Sequence, residues 1–243
     1  MAASAFAVES ANVVGFTSVA TAVQDYNYAA AAFFSVGNTS TDINTITLDD
    51  DGAGTVGWGD SMVISGPLGN AIAAYFYYDK SLNPSGAAAG PFWGDGTMEP
   101  VVVSFDAAEG FAVDNPNGYE FSIVNCGEVP VTNAALTASE NYTSTGNPFP
   151  ATISINAITL DDDGAGTVGW GDSMVIVGPL GNAEDAYFYY DKSLNPAGAA
   201  AGPFWGDGTM EPVSVTFQAG KPFAIDNPNG YAFDIKIACP YTL

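Results

Sequence analysis

The chain has no histidine and no arginine, and its four lysines stand against 27 carboxylates, for a formal net charge of −23. Without histidine, the Ser-His and Cys-His nucleophile systems and the commonest zinc sites are excluded. Phosphate backbones and anionic bilayers are bound through basic side chains, so the scarcity of lysine argues against nucleic acid and membrane surfaces as partners. Charged residues make up only 13% of the chain, so bases are missing more than acids are added. Long apolar runs are absent too. A run such as residues 28–34 falls far short of the ~20 residues of a membrane helix, and no membrane insertion is expected. No helical periodicity is sustained anywhere, which leaves strands as the carriers of the fold.

What is present is a repeat. Residues 46–121 recur as residues 158–233 at a constant offset of 112, with 64 of the 76 aligned positions identical. A fixed period marks an array built from one unit. The differences gather before Ile46, around 102–113 and after Phe121. Opening and closing strands are the ones that meet a neighbouring module, so these are the expected contact regions. Residues 125–131 run from one copy into the next without a flexible stretch, predicting a stiff two-module rod.

Short β-rich segments alternate with Gly, Pro, Asn and Asp clusters. Strands are expected near 12–19, 30–36, 43–48, 61–65, 74–78, 101–105, 110–114 and 119–124. Alternation in Tyr119, Phe121 and Ile123 sends odd positions to the core, with Glu120 and Ser122 toward water. The fold class expected is all-β: two tandem antiparallel β-sandwich domains, jelly-roll-like, from an internal duplication. Residues 1–9 form a signal remnant or N-terminal arm, 10–126 the first repeat and 127–243 the second. The arm reading comes from MAASAFA at the start, whose Ala-Phe-Ala fits a signal-cleavage pattern. Residues 82–97 hold too many Gly, Pro and Ala for a strand and are expected as an ordered loop, anchored by Phe92 and Trp93 (Phe204 and Trp205 in the second copy).

Several groups are candidate sites. In the acidic loop of residues 48–60 and its copy, Asp49, Asp51, Asp60, Asp161, Asp163 and Asp172 could offer the oxygen ligands Ca²⁺ takes, although the loop is not an EF-hand. A solvated turn explains the same residues. Asp114 to Gly118, DNPNG, and its copy Asp226 to Gly230 read as a hairpin turn on Asn117-Gly118, with Ca²⁺ binding the lesser reading. Glu99 and Glu211 near Trp93 and Trp205 raise a glycosidase reading, but nothing basic is there to position a substrate, so no catalytic residue is expected. The aromatic runs at 75–78 and 187–190, with Trp58, Trp93 and their copies, suit core packing better than sugar stacking. Asn38-Thr39-Ser40 and Asn141-Tyr142-Thr143 match the glycosylation pattern. Cys126 and Cys239 are a candidate disulfide in an exported protein, with free thiols the competing reading.

Residues 10–19 (SANVVGFTSV), Gly57 to Asp60 (GWGD), Gly110 to Val113 (GFAV) and Gly127-Glu128-Val129 resemble a group of uncharacterised secreted bacterial proteins with signal peptides and β-rich modules of this size. The likeness covers the first module; the second departs from it, closing on Ala238-Cys239-Pro240. It implies export but carries no catalytic role. Together these features predict a non-enzymatic extracellular or cell-surface structural subunit, its partners copies of itself, assembling by strand addition into a filament or surface layer. Ala2, Phe6, Val8, Val13, Val14 and Phe16 are the expected assembly residues, on an N-terminal segment that pairs with a sheet edge of another subunit. The competing expectation is a secreted polysaccharide-binding module or adhesin using the Trp and Tyr residues. No cofactor is expected other than Ca²⁺.

Overall fold

A computed structural model describes residues 14–22, 25–49, 58–65, 73–78, 91–116, 118–138, 141–161, 170–177, 184–190, 203–228 and 231–241. Among them the protein is all-β, with helix limited to two 3-10 turns, Ile43–Thr45 and Ile155–Ala157. The first copy runs β1 (Val14–Ala20), β2 (Asp25–Ala30), β3 (Thr41–Asp42), β4 (Ile46–Asp49), β5 (Trp58–Ser65), β6 (Ala73–Tyr78), β7 (Phe92–Gly94), β8 (Ser104–Phe105), β9 (Gly110–Asn115) and β10 (Ser122–Glu128). The second repeats the series as β11 (Ala134–Ala138), β12 (Asn141–Gly146), β13 (Ile153–Ser154), β14 (Ile158–Asp161), β15 (Trp170–Val177), β16 (Asp185–Tyr190), β17 (Phe204–Gly206), β18 (Thr216–Phe217), β19 (Pro222–Asn227) and β20 (Phe233–Ile237).

Each copy has a three-stranded sheet, β1-β10-β4 or β11-β20-β14, and a five-stranded sheet, β2-β9-β5-β6-β7 or β12-β19-β15-β16-β17. A two-stranded ribbon, β3-β8 or β13-β18, completes each set, and every pairing is antiparallel. Period-two alternation produces the core. Phe121, Ile123, Ile46 and Leu48, on or beside the small sheet, join Ala29, Tyr77, Trp93, Phe111 and Val113 of the large sheet in one buried cluster. The second copy builds the same cluster from Ile158, Leu160, Phe233 and Ile235 with Tyr189, Trp205, Phe223 and Ile225. Burying one such side chain stabilises the fold by roughly 1.5–3 kcal/mol.

The expected strands are largely found, with three corrections. Residues 30–36 are not a strand; β2 lies earlier, and beyond Ala30 only Phe34 bridges to Glu128. Residues 92–94 form strand β7 inside the segment read as loop, because Phe92 and Trp93 bury against Tyr78 and Tyr77 while the backbone pairs with β6. DNPNG does not close a hairpin. β9 belongs to the large sheet and β10 to the small one, so the turn crosses between sheets. The Asn115 amide fixes it, its Nδ2 lying 3.0 Å from Thr21 Oγ1, 3.0 Å from Ala22 O and 3.1 Å from Tyr119 O. Asn117 lies outside the described residues.

The two copies touch away from their link as well. β12 lies against β9 and β2, and β19 against β2. Glu109 and Thr145 pair as an antiparallel bridge, and Thr145 Oγ1 donates to Ala108 O at 2.8 Å. Gly110 is paired with Ala30 in the first copy as Pro222 is with Gly146 in the second. A β-carbon on Gly110 would collide with Ser144, so only glycine fits where β12 crosses. The sequence difference between copies at 108–110 therefore falls on the junction.

Candidate functional site

The outer face of the first small sheet is built by strand alternation. β1 pairs with β10 in the register Val14 to Glu128, Phe16 to Cys126 and Ser18 to Val124. This sends Val14 and Phe16 outward, 66% and 72% exposed, while Gly15, Thr17 and Val19 turn toward the core. Gly15 fixes that choice, because a β-carbon there would stand 2.8 Å from the Phe33 ring. A slip of one residue, which would bury Val14 and Phe16, is closed to the strand. β1 is also the edge of its sheet, and it carries no charged side chain.

The corresponding face of the second copy is more polar. Lys236 stands where the first copy has Val124 and forms an ion pair with Asp161, Ala135 and Thr137 take the places of Ser18 and Ala20, and Asn133 stands in place of Phe16, although Val131, 48% exposed, stands in place of Val14. Both members of that pair are substantially exposed, so it contributes little to stability. Its meaning is comparative: the architecture does not require an apolar outer face.

Of the proposed calcium ligands, Asp49 ends β4 and is exposed, and Asp161 is held by Lys236. Asp51 and Asp163 lie outside the described residues, as do the side chains of Asp60 and Asp172. Among the described residues no three acidic, Cys or His groups gather as a metal would need. Ala2, Phe6, Val8 and Val13 also fall outside the description. Cys126 and Cys239 carry free thiols, Cys126 exposed and Cys239 3.1 Å from Tyr241 O.

The aromatic residues are interior. Trp93 and Trp205 are 0% and 1% exposed, and their indole N–H groups donate to Ile46 O at 2.7 Å and Ile158 O at 2.8 Å. Each indole thus ties the last strand of the large sheet to β4 or β14 of the small one. Tyr77 packs on Trp93 with ring centroids 4.8 Å apart, and Tyr78 stacks on Phe92 while its hydroxyl reaches Asp95 O at 3.1 Å. Neither tryptophan offers a face to a sugar. Beside them, Asp95 Oδ1 accepts from Thr97 N, Thr97 Oγ1 and Glu99 N at 2.8, 2.7 and 3.2 Å, and Asp207 repeats the arrangement. The Thr97 hydroxyl first, then the Thr97 and Glu99 amides, hold the Asp95 carboxyl below its ordinary range. Glu99 and Glu211 are thus parts of a turn built around an aspartate.

No family model, curated protein or solved structure matches this chain.

One residue of the core is marked in the sequence only by comparing the two copies. Asn125, 3% exposed, sits on the inward side of β10 opposite Thr17 and Ile46, with neither amide atom hydrogen-bonded. The second copy has Ile237 at that place. A buried amide without partners costs roughly 1–3 kcal/mol relative to a bonded or apolar group. The only legible hint was an Asn where the duplicate carries an Ile.

Proposed function

We propose that the chain is a non-enzymatic, extracellular structural subunit that self-assembles into a filament or surface layer by strand addition. Each copy is read as one antiparallel β-sandwich of jelly-roll type, small sheet over large, with the chain divided near residue 126. The observation that carries the reading is β1: an uncharged edge strand whose large apolar side chains face outward in a chain of net charge −23. Natural sheets guard their edges with charges, proline or bulges, and an unguarded edge is a template for pairing with another chain. Within its own chain Val14–Ala20 already pairs with β10, so addition of a further strand falls on the opposite side of β1.

The burial of Trp93 and Trp205 counts against polysaccharide binding through those residues, and the use of Glu99 N in the Asp95 turn gives no support to a glycosidase. Electron microscopy of negatively stained protein, with and without millimolar Ca²⁺, tests the reading. Regular fibres or sheets are the expected result, and discrete particles under every condition would overturn it. Dependence on Ca²⁺ would assign Asp49, Asp51, Asp60 and their copies as ligands.

A further inference from the structure

The two copies hold their first strands differently. In β11 the inward residues Ala134 and Ala138 belong to the core of the second copy, and Leu136 packs against it. None of the seven residues of β1 is buried, and none joins the first core or the apolar side chains packed against it. The contrast is sharpest at one pair of positions. Ala134 stands opposite Ile237, whereas Thr17 stands opposite Asn125, whose buried amide is unbonded. The first core therefore closes without β1, which is held mainly by its ladder to β10 and by Thr21 just beyond it. Thr21 N and Oγ1 donate to Phe121 O at 2.8 and 3.0 Å.

The seat beside β10 is selective as well as loosely filled. A β-carbon in the place of Gly15 would stand 2.8 Å from the ring of Phe33, which is fully buried. The segment leading into β11 has Thr132 at the matching register, so that strand does not fit. We propose that β1 is exchanged between copies of this chain: Val14–Ala20 of one molecule leaves its own β10 and pairs, in the same register, with β10 of a second. Every ladder bond of β1, and the bonds of Thr21 to Phe121, are remade with the second chain, so no native contact of the strand is lost. Exchange of an identical element is a low-cost route to association for this reason. The loose hold governs how fast the strand leaves, since the seat is the same before and after. A chain's own strand competes at an effective concentration of about millimolar, so exchange belongs to crowded conditions such as an assembly. Reciprocal exchange closes a dimer, and successive donation grows an open chain.

The inference rests on the self-assembly reading, to which it adds exchange of β1 itself beside addition at its free side, and the test separates the two. Phe16 stands directly opposite Cys126, both exposed. Residues so placed have Cα atoms about 4.5–5.5 Å apart, within disulfide reach. In the full chain carrying Cys239→Ser and Phe16→Cys, oxidation with copper-phenanthroline then records whose strand occupies the seat. After incubation at about millimolar protein in high salt, a non-reducing gel should show interchain dimers or a ladder in excess of a Cys239→Ser control that keeps Phe16. Dilute protein should show intrachain bonds alone. Asn125→Ile, which gives the seat the residue of the second copy, should slow the appearance of the interchain product by about tenfold. Intrachain bonds alone at millimolar protein overturn the exchange, and fibres built from such chains leave self-assembly through another surface standing. Interchain bonds in discrete particles uphold the exchange and overturn the filament or layer.

Discussion

Ala30 and Gly146 hold the same position at the ends of β2 and β12, and they meet each other: a β-carbon on Gly146 would stand 2.5 Å from Ala30 Cβ. Contact between equivalent positions, with β12 on β9 and β19 on β2, is the mark of an approximately two-fold arrangement of the copies, not a translational one. A translational stack would set the end of one copy against the beginning of the next. The sequence expectation of a rod joined end to end is corrected on this point, since the copies meet through β2, β9, β12 and β19 as well as through the link at 129–133.

Gly146→Val should therefore strike the junction. The new side chain meets Ala30, Lys221 O and Pro222 Cα, and overpacking of this kind costs about 1–3 kcal/mol. Urea unfolding should show a lower midpoint, and small-angle scattering a larger radius as the copies separate. An unchanged midpoint and radius would contradict the close contact.

Asn125→Ile should stabilise the first copy, by about 1–3 kcal/mol, because it replaces two unbonded buried amide atoms with the residue found at the same place in the second copy. Asn115 is the contrast. Its Nδ2 has three oxygens within hydrogen-bond reach of its two N–H donors, so Asn115→Leu should destabilise by a similar amount. Denaturation midpoints moving in opposite directions check both, and a loss of stability in Asn125→Ile would mean the amide is bonded in solution.

Trp93→Phe and Trp205→Phe should each cost about 2–4 kcal/mol, by leaving Ile46 O or Ile158 O without its indole donor and opening space in the core. The losses should be nearly equal, since the two sites have the same partners. Thermal unfolding of each variant reads the effect; a tolerated substitution would imply that the indole is not the bond between sheets that the geometry shows.

Burial, with Asp106 nearby as a smaller cause, raises the Glu109 carboxyl above its ordinary range, although the Asp106 amide works the other way. The folded chain then binds this proton more tightly than the unfolded one. The stability it adds is fully present below the unfolded pKa and is lost as pH rises through the folded pKa. Asp95 and Asp207 act oppositely: their carboxyls are lowered, and what they contribute is lost as pH falls through their folded values. Stability of the native chain should accordingly rise on mild acidification from neutral pH before falling in stronger acid. Urea midpoints against pH should show a smaller initial rise in Glu109→Gln, and an identical profile would remove Glu109 as a source.

Legibility varied with the kind of signal. Phe121 and Ile123 were readable as core because a strand's alternation is written in the sequence, and both are buried. β7 was not, because three residues between glycines and prolines give no periodicity; only the pairing with β6 makes Phe92–Gly94 a strand. Asn-Gly at 117–118 announces a turn, yet turn chemistry does not say which sheet the next strand joins. Trp93 as a sugar platform and Trp93 as a core residue look alike in sequence, and its burial under Tyr77 depends on residues distant along the chain. On β1, the exclusion of the alternative register needed Gly15 and Phe33 to be seen together.

The sequence by itself determined that the chain is β-rich, that it is one unit written twice, and that its charge leaves almost no basic surface, because composition, period and alternation are local or additive properties. Tertiary structure alone decided that Phe16 faces outward, that Asn125 is buried without partners, and that Ala30 meets Gly146. Each depends on which distant strand lies alongside, and in an antiparallel sheet a shift of one residue reverses every side chain, so such facts exist only once register and packing are fixed together.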